Sequence, residues 1–284
     1  MEPIFNRVVI VGAGLLGASL GLALQKQGAA QAVIGVGRRQ SSLDTALARG
    51  AIQEGSLDLA TAANDADLIV IATPASTVRP TLDQIQARCS EKTIVIDVAS
   101  TKADICAHAA RQWAAPRRFI GCHPMAGSEK SGPEHATANL YEGSVCLIED
   151  TPDLDPAALS QVHALWKRVG ARVVPVEPEL HDALLARTSH VPHIMASVLA
   201  LSAAQKGATS DVVGNGFRDM TRVAAGSPEM WRDIVLTNRE AISEGLNDIK
   251  QHLDAFLDAL AAGDDVALTA LFEGGKKARQ KVLS

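Results

Sequence analysis

A β-branched run that ends on glycines constrains this chain more than any other feature. Arg7-Val8-Val9-Ile10-Val11 has the short apolar character of a strand buried on both faces of a parallel sheet. Directly after it, Gly12-Ala13-Gly14-Leu15-Leu16-Gly17 spells G-x-G-x-x-G, and residues 15–27 continue as small and apolar residues suited to a helix. Alone the glycine pattern is weak. In the order strand, glycines, helix it is the fingerprint of a dinucleotide-binding unit. Gly12 permits a tight turn, Gly14 lets the backbone approach a pyrophosphate, and Gly17 lets the helix pack on the strand. The helix N-terminus at Leu15 and Leu16 favours phosphate charge.

Further apolar runs follow at residues 32–37, 67–72, 93–98, 119–120, 144–148 and 171–176, with helical stretches between them. Strands alternating with helices predict a Rossmann-type doubly wound sheet. Ligands of such sheets sit outside the carboxyl ends of the strands. Residues 12–17, 73–76, 100–102 and 123–132 all lie at those ends and are expected to share one cleft, with Thr73 and Pro74 against the cofactor. The second strand ends where an acid ordinarily bonds the adenosine ribose. Here Gly37-Arg38-Arg39-Gln40-Ser41 supplies two guanidiniums and a hydroxyl instead. An acid would repel a 2′-phosphate and arginine accommodates one, so NADP is expected over NAD.

Beyond residue 176 the strand signal stops. The expected organisation is therefore α/β, with a nucleotide-binding domain over 1–176 and an all-helical domain over 177–284. Residues 177–206 read as one long helix, kinked at Pro192 unless a new helix starts there. Ser227-Pro228 is a helix start, with serine as N-cap and proline in the first turn. Ile242, Leu246, Ile249, Leu253, Phe256 and Leu260 then repeat at alternating spacings of four and three. Such a seam suits closely paired helices, within one chain or between two.

A net charge of −5 argues against nucleic-acid partners. No apolar run is long enough to span a membrane and no basic-then-apolar leader is evident, so a cytoplasmic protein is expected. The four cysteines are widely spaced, without the pairs of a zinc cluster or a disulfide framework. His190 and His193 lack a third ligand at a convincing spacing, so no metal is expected.

The densest chemistry lies in Cys122-His123-Pro124-Met125-Ala126-Gly127-Ser128-Glu129-Lys130-Ser131-Gly132. Together with Ser189-His190-Val191-Pro192-His193, Gly216-Phe217-Arg218-Asp219-Met220-Thr221-Arg222 and Pro228-Glu229-Met230-Trp231-Arg232-Asp233, it resembles the prephenate/arogenate dehydrogenase family of tyrosine biosynthesis. The resemblance covers nearly the whole chain. It implies an NAD(P)-binding domain followed by a helical dimerisation domain, a homodimer, and an active site between the domains. The implied reaction is oxidative decarboxylation of a cyclohexadienol: hydride leaves C4, the C4 hydroxyl loses its proton, and the ring carboxylate departs as carbon dioxide.

A neutral imidazole suits the proton role near neutral pH. The resemblance places the catalytic histidine at His123 and its hydroxyl-binding partner at Ser100. It makes Arg222 the carboxylate clamp, with Arg218 the second choice. His181, Ser189 and His193 match substrate-pocket positions, Glu129 a residue gating the pocket, and Trp231 a wall of it. Two other readings fit a Rossmann half followed by helices. A β-hydroxyacid dehydrogenase or imine reductase would place a catalytic lysine early in the helical half, but residues 177–192 contain none. A non-catalytic NADP-binding regulator would bind the nucleotide without turnover.

Overall fold

The computed structural model describes residues 2–127 and 130–284 of the chain. Its first half is built on β1 (Phe5–Val11), α1 (Leu15–Lys26), β2 (Ala30–Val36), α2 (Gln40–Ala48), β3 (Glu54–Ser56) and α3 (Leu59–Ala62). The chain then crosses to β4 (Leu68–Ile71), α4 (Ala75–Gln86), β5 (Ile94–Asp97), α5 (Ala103–Gln112) and β6 (Phe119–Ile120). These strands form one six-stranded parallel sheet in the order β3-β2-β1-β4-β5-β6. The strand order reverses between β1 and β4, which leaves a crevice beyond their carboxyl ends. The alternating residues of β1 feed two layers of core. Val8 and Ile10 pack on one face, Val9 and Val11 on the other.

The runs at 144–148 and 171–176, expected in the same sheet, belong elsewhere. β7 (Cys122–Pro124), β8 (Val145–Glu149), α6 (Pro156–Arg168) and β9 (Arg172–Val176) form a separate unit, whose three strands run in the order β7-β8-β9. β7 pairs antiparallel with β8, and β8 parallel with β9. Pro175 carries no N–H, which suits a strand at the sheet's edge. The fully buried Arg117 braces this unit against the main sheet through Glu149 and Asp153, and Glu149 accepts the Gly121 N–H at 2.9 Å.

The helices that follow are α7 (Pro178–Leu185), α8 (Val191–Gln205), α9 (Asn215–Thr221), α10 (Pro228–Thr237), α11 (Arg239–Ala262) and α12 (Asp265–Leu283). Between α7 and α8 the backbone makes a π-helical turn over Ala186–His190. Pro192 follows directly on this turn and has no N–H to donate to the carbonyls of the preceding helix. The expected break is therefore a widened turn, and the chain passes through it still helical. Ser227 caps α10 as expected, its hydroxyl accepting the Met230 N–H. Gly263 ends α11 in the left-handed conformation.

The seam on α11 divides. Ile242 is buried, and with Leu246 and Ile249 it packs against Ala186 and Val191. Farther along, Phe256 meets Phe272 of α12 edge to face, while Leu253 and Leu260 lie exposed. No described helix is long and apolar enough to cross a membrane.

Candidate active site

The glycine fingerprint forms a cradle for a dinucleotide. Gly12 has φ +100°, and a Cβ there would stand 2.5 Å from the Ala72 carbonyl oxygen. A side chain on Gly17 would collide with the Gly12 backbone, so α1 can lie against β1 only with glycine there. Around Gly14 the situation differs: an added Cβ would meet nothing within 4 Å. Gly14 N-caps α1, and the first turn of that helix carries no acid. Open space over the N-terminus of a helix suits a pyrophosphate. Leu15 and Leu16 form the first turn and are only half-buried. Beside this cradle Thr73 Oγ1 is buried without a hydrogen-bond partner, and Pro74 opens α4. Arg38 and Arg39 are exposed where β2 gives way to α2, and Ser41 lies in the first turn of α2.

Adjacent strands carry the second part of the crevice. β5 ends on Asp97, fully buried, whose carboxylate accepts N–H groups from Ala99 (3.0 Å) and Cys122 (3.2 Å) and an ion pair from Lys102. Burial pulls the Lys102 ammonium down most strongly, but Asp97, Cys106 and Asp182 around it together outweigh burial and hold the lysine above its usual value. Asp97 thus fixes the residue preceding His123, while pairing with β8 fixes His123 itself.

The His123 ring is buried. Its Nδ1 lies 2.9 Å from Nε2 of His181, and His181 Nδ1 lies 2.8 Å from Oδ1 of Asp182. The Asp182 carboxylate accepts the Lys102 N–H (2.8 Å) and the Ala103 N–H (2.9 Å), capping α5 from across the crevice. Burial, the neighbouring His181, the Lys102 cation and His190 together hold His123 well below the usual histidine range. It is therefore a neutral imidazole at physiological pH.

The helical half wraps this row. Asn238 Nδ2 donates to the Asp182 carbonyl (2.9 Å) and stands 3.2 Å from His190 Nδ1. Burial pushes His190 down to about 4. The His193 ring stacks on Trp231 at 3.6 Å between centroids, and its buried Nδ1 has no partner. Ser189 is half-buried in the π turn. Thr101 Oγ1 donates to Thr237 Oγ1 at 3.1 Å, and Asp233 accepts the Ser76 N–H at 3.0 Å, further tying the halves together.

Not every expected residue joins the group. Ser100 is half-buried in the loop before α5, and no hydrogen bond links it to His123. His181 is fully enclosed and both its ring nitrogens are engaged by protein, leaving none for a substrate. Arg218 and Arg222, on α9 and at its end, are exposed and make no ion pair among the described residues. Glu129 lies outside the described residues. The reading of single residues missed Asp97, Asp182 and Asn238. Only for Asp182 was there a signal: an acid beside His181 on a helix otherwise poor in charge near the crevice.

Residues 20–175 match the sequence model of the prephenate dehydrogenase nucleotide-binding domain, and residues 177–274 that of the prephenate dehydrogenase dimerization domain. The chain belongs to the prephenate dehydrogenase family. It is 31% identical to prephenate dehydrogenase of Lactococcus lactis over 97% of its own length and 77% of the relative's. Among solved structures of the family, prephenate dehydrogenase of Aquifex aeolicus, in complex with hydroxyphenyl propionate and NAD+, superposes with a TM-score of 0.89. It is 30% identical, with 98% of each chain covered. Arogenate dehydrogenase of Synechocystis superposes at 0.83, again 30% identical, over 97% of this chain and 99% of that one.

Proposed function

We propose that this family member oxidatively decarboxylates prephenate or L-arogenate with NADP+, a step of tyrosine biosynthesis. The observation that carries the reading is the buried His123, which follows β6 of the sheet whose β1 ends on the glycine cradle and whose surroundings disfavour a charged ring. The Gly12, Gly14 and Gly17 backbone, the first turn of α1 and Thr73 would hold the dinucleotide, whose nicotinamide supplies the hydride acceptor when bound. His123 accepts the proton of the C4 hydroxyl, and Ser100 binds the same hydroxyl. Departure of the ring carboxylate as carbon dioxide leaves an aromatic ring, which drives the reaction.

Trp231 and His193 form one wall of the pocket, with Ser189 beside them. The unpartnered Nδ1 of His193 is a polar contact awaiting the substrate. Arg222 grips a substrate carboxylate, since a guanidinium binds one bidentately, with Arg218 the second choice for that clamp. Glu129 gates the pocket. The two exposed guanidiniums at 38 and 39 favour the 2′-phosphate of NADP. We take 1–176 and 177–284 as the two domains, and the second as the seat of a homodimer. In support, exposed apolar residues recur throughout the helical half, Leu180, Leu201, Leu236, Leu257 and Phe272 among them, and the match to a dimerization domain extends across α11 and into α12.

Initial rates with prephenate and arogenate, each with NAD+ and NADP+, test the reading. Turnover of at least one substrate is expected, with kcat/KM higher for NADP+ and the preference lost in an Arg38→Ala/Arg39→Ala variant. Nucleotide binding without turnover of either substrate would favour the regulator. A strong NAD+ preference unmoved by the double substitution would remove the arginines from cofactor choice.

A further inference from the structure

We infer that His181 and Asp182 are positioning residues that fix which nitrogen of His123 carries the proton. The inference rests on His123 being the proton acceptor proposed above. Proton positions along the row follow from the donors and acceptors present. Asp182 accepts two backbone N–H groups, one on each oxygen, at the N-terminus of α5, where the helix dipole favours negative charge. It is a carboxylate and can only accept, so His181 Nδ1 must donate to it. With a single proton on its ring, His181 presents a lone pair at Nε2. His123 Nδ1 must then donate to that lone pair across 2.9 Å. The remaining nitrogen of His123, Nε2, is left bare, and it is the only one able to take a proton from a hydroxyl.

The row also answers for the charge produced. When the hydroxyl proton moves to His123 Nε2, the ring becomes an imidazolium whose Nδ1–H already points at His181, and Asp182 lies one ring farther on. The logic is that of an acid orienting a histidine in a hydrolase triad, lengthened by one imidazole. Here, though, the row crosses between two domains. His123 belongs to β7, whereas His181 and Asp182 belong to α7 of the helical half. The same carboxylate caps α5 of the nucleotide-binding half, and Asn238 holds its backbone from the junction of α10 and α11. The reactive tautomer is thus specified by groups of the helical half docked against the nucleotide-binding half.

The direct test is the 15N spectrum of the full-length wild-type protein with labelled histidine. His123, assigned by its loss in His123→Asn, is expected to show a protonated Nδ1 and a bare Nε2 at neutral pH. A proton on Nε2 would overturn the inference whether or not the protein turns over substrate. Failure of turnover beside the expected tautomer would instead count against the proposed reaction. In Asp182→Asn an amide N–H can face His181 and reverse the row. kcat should then fall on the order of 10²–10⁴-fold with KM changed no more than roughly threefold, as for loss of a group acting in the transition state.

His181→Gln, whose carbonyl oxygen can still accept from His123 Nδ1, should keep at least about tenfold more of kcat than His181→Leu. A merely structural role would predict equal losses in the two, and that result would also overturn the inference. With His123 assigned, the spectrum of the wild-type protein decides the matter even if the Asp182 and His181 variants do not fold.

Discussion

In the nucleotide-binding half Val8, Val9, Ile10, Ile69 and Ile96 have lost all contact with solvent, whereas along α11 and α12 Leu253 remains 50% exposed, Leu257 62% and Phe272 69%. The first half closes its own core. The second encloses only a small cluster around Ala186, Val191 and Ile242 and leaves its distal helices uncovered. The charged groups differ with their place. Asp97, Lys102 and Arg117 on the sheet side are buried and paired, as is Asp182 of α7 where it meets α5, while Arg218 and Arg222 farther along the helical side stand exposed. A parallel sheet buries both faces within one chain. A helical hairpin buries one stripe and needs something else against the next. The contrast fits a nucleotide-binding half that closes on itself and a second half completed by a further copy of the chain.

The largest effect expected from that contrast is on assembly. Leu253→Glu with Leu260→Glu should weaken self-association on the order of 10²-fold, if each half-exposed leucine contributes roughly 1–2 kcal/mol of burial. Sedimentation equilibrium reads this directly. A variant that stays as tightly associated as wild type, or a wild-type monomer, would break the comparison at its helical end.

Next in size is the clamp. Arg222→Ala should raise KM for the cyclohexadienol roughly 10- to 100-fold, the range of a hydrogen bond to a charged group, with little change in kcat. Unaltered substrate affinity would remove Arg222 from the pocket, and a larger effect in Arg218→Ala would exchange the two arginines.

The smallest is on stability. Burial holds His123, His190 and His193 below their unfolded value of about 6.5, so the unfolded chain takes up protons before the folded one does. Stability is therefore retained above that pH and lost as pH falls from about 6.5 towards 4, the value to which His190 is pushed. His190 alone should cost roughly 1 kcal/mol by pH 5.5, measured by denaturant titration at each pH. These histidines all lie at the crevice. Equal acid sensitivity in a His190→Asn variant would show that the loss arises elsewhere.

Much of the first half was legible in the sequence because its signals are local. β1, β2, β4 and β5 are β-branched runs, and the glycines at 12, 14 and 17 stand in a fixed spacing directly after β1. β3 and β7 were not legible, since Glu54-Gly55-Ser56 and Cys122-His123-Pro124 are three residues long and carry no apolar alternation. The separation of β8 and β9 into a second sheet is a matter of pairing partners, which an apolar run does not encode. Pro175 was a hint, as proline suits only an edge.

In the site, His123, His193 and Trp231 could be picked out by residue type and motif. The row from His123 through His181 to Asp182 could not, because His181 lies 58 positions from His123 and only the docked halves bring them together. The same long range explains how His181 could be read as a substrate contact when its ring faces only protein. The exposed half of the α11 seam stayed ambiguous for another reason: one chain's sequence looks the same whether its partner helix is its own or another's.

The central claim is that a neutral His123 takes the hydroxyl proton, and the pH dependence of kcat/KM in wild type and His123→Asn tests it most directly. Wild type should show an acid limb below the usual histidine range, as the environment of His123 requires. His123→Asn should lose that limb together with a factor on the order of 10²–10⁴ in rate. An asparagine variant that keeps the limb, or keeps the rate, would contradict the account.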